Sequence, residues 1–189
     1  MLYFVIIYVS AILLSALVSL FCGERYLTSF CFTALAVLIV VAIDGVVAGG
    51  ARLLPKKFAN HEKRIFSVTL KEKTFYEKLK IRKWKDKVPE IGHLTGFRKN
   101  KISDPKSVEY LDRFLLEICY GQIGHFFSCI FGFVLLVLFP IYRFWIPVSL
   151  PVAVINVFLN LPSLIILRYN SYKLRILREN LLKKQNKVD

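Results

Sequence analysis

Acidic side chains are scarce in this sequence. Its 189 residues hold 13 Asp and Glu against 27 Lys and Arg, a formal charge of +14. Histidine is scarcer, at three, and there are four cysteines. No two cysteines form a CxxC pair and the histidines lack ligand spacing, which argues against a zinc site. No Gly-x-Ser-x-Gly elbow, P-loop or His-x4-Asp pair is present, so those nucleophile and phosphate-binding chemistries have no signature here. The first apolar run has neither a charged leader nor a small-residue cleavage site and reads as a retained anchor. Cys31 and Cys129 sit inside apolar runs as packing residues, and nothing demands a disulfide.

What is abundant is apolar. Hydrophobic residues make up 56% of the chain and the mean hydropathy is +0.52, too high for an ordinary cytosolic domain of this size. Four apolar runs, residues 1–21, 29–48, 123–139 and 148–167, read as membrane spans, each needing about 20 residues. A nucleic-acid binder can be equally basic but does not carry such spans, so no nucleic-acid partner is expected. All Lys and Arg other than Arg25 and Arg143 fall in 52–113 and 168–187. By the positive-inside rule both termini and the large loop face the cytoplasm of a multi-pass cell-membrane protein. The expected fold is an all-α integral membrane protein, with four transmembrane helices in two hairpins and a basic interfacial cytoplasmic subdomain. Its parts are a first hairpin (1–50), a basic segment (51–120), a second hairpin (121–167) and a basic helical tail (168–189).

The basic segment centres on Lys80–His93, where Arg82, Lys83, Trp84 and Lys85 set cations around one tryptophan before Pro89. Such a patch with an aromatic anchor suits anionic headgroups or a phosphorylated substrate. A solvated basic loop with its tryptophan tucked into a core is the plainer reading. Phe75, Tyr76, Leu79 and Trp84 recur at near-helical spacing, predicting an interfacial helix that Pro89 ends. Residues 66–70 read as extended. Asp104–Pro105 reads as a helix start, with Val108, Leu111, Leu115 and Ile118 on the apolar face.

Candidate chemistry gathers at the third span. Glu117, Gly121 and His125 recur every four residues, nearly on one helical face. His125 can accept a proton from an alcohol, Glu117 can orient it, and Gln122 lies one turn before it. The plainer reading has both groups ending the span among headgroups. Asp44 is ionisable at membrane depth, which makes it a candidate pocket residue or a structural pair. Asn156, Asn160 and Ser163 share one side of the fourth span and either glue helices or line a pocket. The expected site lies where spans two, three and four meet, with Asp44 and Asn160 as supporting or pocket residues. Arg168, with Tyr169 and Asn170, stands where the fourth span ends, as a phosphate or carboxylate binder or a topology anchor. His93, after Gly92, can reach an interfacial site. His61 has no special context. Cys119 offers a covalent route, but no base is placed for it by sequence.

Three stretches carry a resemblance: Ile81–Lys87 (IRKWKDK), the Glu117 to His125 boundary, and Asn160–Asn170 (NLPSLIILRYN). Together they resemble the glycosyl-4,4′-diaponeurosporenoate acyltransferase family of staphylococcal carotenoid synthesis, over about residues 54–177 with gaps. The resemblance implies an O-acyltransferase that esterifies a sugar hydroxyl of a membrane glycolipid. Its donor would be an acyl thioester, acyl-CoA or acyl-carrier protein, with no bound cofactor. Carried over, the site residues are Arg82, Lys83, Trp84, Lys85, His93, Glu117, His125, Arg168, Tyr169 and Asn170. The chain departs at Gln122, where the family pattern has glutamate. A neutral amide cannot act as a base, so either Glu117 and His125 suffice or this copy is weak. A non-catalytic scaffold for anionic lipid or a lipid-pathway enzyme is the alternative, and another small membrane transferase, such as a methyltransferase, a third.

Overall fold

The computed structural model describes residues 2–21, 23, 26–88, 102–138 and 148–187. Among the described residues regular structure is helical, with no strand. The helices are α1 (Leu2–Phe21), α2 (Tyr26–Leu53), α3 (Leu70–Lys78), α4 (Ile81–Trp84), α5 (Val108–Phe131), α6 (Leu135–Leu138) and α7 (Leu150–Gln185). Three helical stretches are long and apolar enough to cross a membrane: Leu27–Leu53, Val108–Val137 and Leu150–Gln185. A shorter apolar stretch, Val9–Phe21, lies in α1.

Several boundaries differ from expectation. The amphipathic helix after Asp104 and the third span form one helix, because nothing between Ile118 and Gly124 breaks the backbone ladder. Its start is set by Ser107, whose Oγ accepts from Tyr110 N at 3.1 Å, while Asp104 only closes a local turn to Lys106 N at 3.2 Å. The fourth span and the basic tail are likewise one helix of 36 residues, although Pro162 inside it removes one backbone donor. The helix foreseen through Trp84 divides instead. Thr69 caps α3 by accepting from Glu72 N at 3.2 Å, and Lys80 then adopts the left-handed conformation (φ 55°) before α4. Trp84 Nε1 donates back to Leu79 O at 3.0 Å and closes that turn.

The chain divides into two compact units. The first, Met1–Gly50 with Gly124–Leu161, has a core of Ala36, Val40, Leu135, Val148 and Val152. Small and β-branched residues let its helices approach closely. At Gly124 an added Cβ would lie 3.7 Å from the Ala48 backbone. Large apolar side chains such as Leu13, Leu38 and Phe126 point outward, as a lipid-facing surface requires. The buried hydroxyls of Ser19 and Thr33 are returned to their own helices, to Ser15 O and Ser29 O, each at 2.7 Å.

The second unit is Ala51–Ile123 with Pro162–Asp189. One core cluster joins Val68, Tyr76, Ile81 and Val88 to Ile166 and Tyr169, with Trp84 packed on it. Another joins Leu111, Phe114, Leu115 and Ile118 of α5 to Leu174 of α7. A third holds Ala59, Phe66, Cys119 and Tyr120, and the Tyr120 hydroxyl donates to Leu54 O at 2.9 Å. The basic segment thus builds an interior together with the second half of α7.

Candidate active site

Within the first unit, three helices bring four polar side chains together. Asp44 comes from α2, His125 from α5, and Asn156 and Asn160 from adjacent turns of α7. Asn156 Nδ2 donates to Ser128 O at 2.9 Å and more weakly to Asp44 Oδ1 at 3.4 Å. Asn160 Nδ2 meets Asp44 Oδ2 at 3.1 Å, Asn156 Oδ1 at 3.0 Å and Asn156 O at 3.1 Å. These three neighbours are all acceptors, so they fix the amide with its oxygen on the other side. There Asn160 Oδ1 lies 2.8 Å from His125 Nδ1. An amide oxygen only accepts, so His125 Nδ1 carries the proton and the neutral ring keeps its lone pair on Nε2. The arrangement is that of a base held by an orienting group.

Gly132 makes room for this network. A Cβ there would lie 2.7 Å from Asn156 Nδ2 and 3.3 Å from its Cβ. Gly132→Ala is therefore expected to push the amide off Ser128 O and destabilise the protein by about 1–3 kcal/mol. Thermal unfolding in detergent checks it: an unchanged midpoint would show that the helices part freely at this contact.

The second unit holds a different set of contacts. Arg168 makes a two-pronged bond to Glu72, Nε to Oε1 at 2.5 Å and Nη2 to Oε2 at 2.9 Å. Its Nη1 also donates to Ile65 O at 2.9 Å and Gln122 Oε1 at 3.3 Å. Gln122 is buried and its Nε2 has no acceptor among the described residues. Tyr76 donates its hydroxyl to Glu72. Burial opposes charge on Glu72, but the bonds from Arg168 and Tyr76 outweigh it and hold the carboxyl below its ordinary value. Burial and the bond to Glu72 push the Tyr76 phenol up to about 12, so it remains a donor at neutral pH.

One turn along α3, Glu77 pairs with Lys73 and Arg82, each at 2.6 Å. Arg82 Nε also donates to the hydroxyl of fully buried Tyr169 at 3.0 Å. Lys83 is exposed, Lys85 lies 4.0 Å from Asp86, and Asn170 is half-buried. Glu117 pairs with Arg52 at 3.6 Å. Asn160 rather than Glu117 therefore meets the imidazole of His125. His93 lies outside the described residues. Sequence reasoning missed Glu72 and Glu77 as the partners of Arg168 and Arg82. The signal available was their position, two acids a turn apart in a lysine-rich helix.

His61 faces Asp112 at 3.5 Å, and Asp112 also accepts from Arg178. Burial first, then Arg178 and Arg175, hold the imidazole below its ordinary value, against Asp112 and Glu62. The unfolded chain therefore takes up this proton at higher pH than the folded one. Stability present above about pH 6.5 is lost as pH falls through the lower folded value. His61→Gln is expected to reduce the fall in melting temperature between pH 7.5 and 5 by a few degrees. An identical fall in both proteins would remove His61 as its source.

Among the described residues no group of three or more His, Cys, Asp or Glu could hold a metal ion. No curated protein and no solved structure matches the sequence. Residues 55–180, two-thirds of the chain, match the glycosyl-4,4′-diaponeurosporenoate acyltransferase family and include His125, Asn156, Asn160 and Arg168. On that match, the chain belongs to the glycosyl-4,4′-diaponeurosporenoate acyltransferase family.

Proposed function

We propose that this protein is a membrane O-acyltransferase that moves a fatty acyl group from a thioester donor to a hydroxyl of a membrane glycolipid. Family membership supports the reaction class. The observation that carries the chemistry is the bond from His125 Nδ1–H to Asn160, which leaves Nε2 as the proton acceptor. Nε2 takes the acceptor's hydroxyl proton as that oxygen attacks the thioester carbonyl carbon. The carbon–sulfur bond then breaks, and the imidazolium returns the proton to the leaving thiolate. Products are an ester and a free thiol, so the step balances without a further reactant.

The donor is an acyl-CoA or acyl-carrier protein, both anionic. Arg82 and Arg168 already have carboxylate partners, so Lys78, Lys80 and Lys83, exposed near Arg82 in sequence, are the better candidates for attracting it. The buried, unpartnered Nε2 of Gln122 is a donor that a substrate oxygen can satisfy. We place the chain in the cell membrane as two hairpins, with both termini and the basic segment on the cytoplasmic side.

Lipid mass spectrometry on cells with and without the gene tests the reading. A glycolipid heavier by one fatty acid less water is the expected product. An unchanged lipid profile would point to the scaffold alternative, and a gain of one methylene to a methyltransferase.

A further inference from the structure

We infer that Asp44 is a positioning residue for His125: through the Asn160 amide, its carboxylate holds the imidazole in the Nδ1–H tautomer that keeps Nε2 available as a base. Asp44 belongs to α2, outside the stretch that matches the family. Flipping the Asn160 amide would aim its oxygen at Asp44 Oδ2 and at two oxygens of Asn156, which lie 3.0–3.1 Å from the present nitrogen. Asn156 cannot flip in concert, because its own nitrogen is fixed by Ser128 O at 2.9 Å. The pair of amides is thus pinned at one end by a backbone carbonyl and at the other by a carboxylate. A bond to an ionised acceptor is the stronger kind. Without the carboxylate, Asn160 Nδ2 keeps the two Asn156 oxygens but loses its one charged acceptor. If its amide then rotates, Nδ2 faces the ring, only the other tautomer can accept from it, and Nε2 is protonated and unusable.

The inference rests on the acyl-transfer reading for its purpose but is tested without substrate. The protein has three histidines, His61, His93 and His125, so ¹⁵N-histidine labelling in detergent gives few signals. His125→Gln assigns one set. At pH 8.5 wild-type His125 is expected as the Nδ1–H tautomer. Asp44→Asn keeps a neutral acceptor and is expected to retain that tautomer. Asp44→Leu is expected to shift it toward Nε2–H. With palmitoyl-CoA and an alkyl glucoside as probes, kcat of Asp44→Leu should fall about 10- to 100-fold with KM unchanged, the scale on which an imidazole's hydrogen-bond partners matter.

A wild-type His125 in the Nε2–H form would overturn the inference without any variant, as would an Asp44→Leu protein that keeps the wild-type tautomer. If neither probe reacts but the tautomers behave as stated, the acyl-transfer reading fails and the positioning role of Asp44 stands.

Discussion

Replacing His125 with glutamine is expected to cut acyl transfer by at least about 100-fold, the lower range of what a positioned base contributes. The loss should appear in kcat. Glutamine keeps an N–H for Asn160 Oδ1 and roughly fills the volume, so the network around Asp44 and Asn156 survives. What disappears is the Nε2 lone pair. The check is a time course of ester formation in proteoliposomes, alongside helicity and melting temperature of the purified variant. Retained turnover with an intact fold would remove the imidazole from the mechanism. Glu117→Ala is the informative companion. Because Glu117 pairs with Arg52 and does not meet the ring, it is expected to keep most of the activity.

The largest effect on stability is expected from Glu72→Ala. Arg168 presents three nitrogens to this neighbourhood, and Glu72 takes two of them. Removing the carboxylate leaves a partly buried guanidinium short of acceptors and the Tyr76 hydroxyl without its partner. Breaking one side of such a pair costs about 3 kcal/mol, several times the worth of a surface ion pair. The packing of Tyr76 with Ile166 and Tyr169 is tied to the same residues, so α3 should loosen first. Hydrogen exchange at α3 amides, compared between wild type and variant, reads this directly. Glu72→Gln should be milder, since an amide oxygen still accepts one bond. Arg168→Met with Glu72→Leu should recover much of the loss, because an apolar pair leaves no charge unpaired.

The helical class was legible because long apolar runs separated by cationic stretches have few soluble solutions. Of the four expected spans, three helices among the described residues are long and apolar enough to cross a membrane. Residues 29–48 announced a membrane helix by composition alone, and α2 spans them. Asp44 stood out as an acid inside that run. Asn156 and Asn160 stood out by sharing a helical face. A shared pocket for Asp44, Asn160 and His125 was expected where three spans meet. The particular bonds among them were not legible, because they depend on three helices packing through small residues, and local periodicity carries no tertiary register. Helix lengths were misjudged for the opposite reason. Composition changes sharply near Gly121 and Leu167, and a change of solvent was read as a change of element, although the backbone runs through both. Trp84 shows the same limit. A tryptophan among lysines suggests a headgroup anchor, yet its ring packs on the unit's own core and its nitrogen ties off a turn.

The uninterrupted length of α7 has a consequence for the lipid around it. Thirty-six residues rise about 54 Å, against a hydrocarbon layer of about 30 Å. A rod of this length that crosses the layer leaves nearly half of itself clear of the acyl chains. Bilayers differ in thickness by only a few ångströms, so the embedded part of such a rod changes by at most about one turn, taken up largely by tilt.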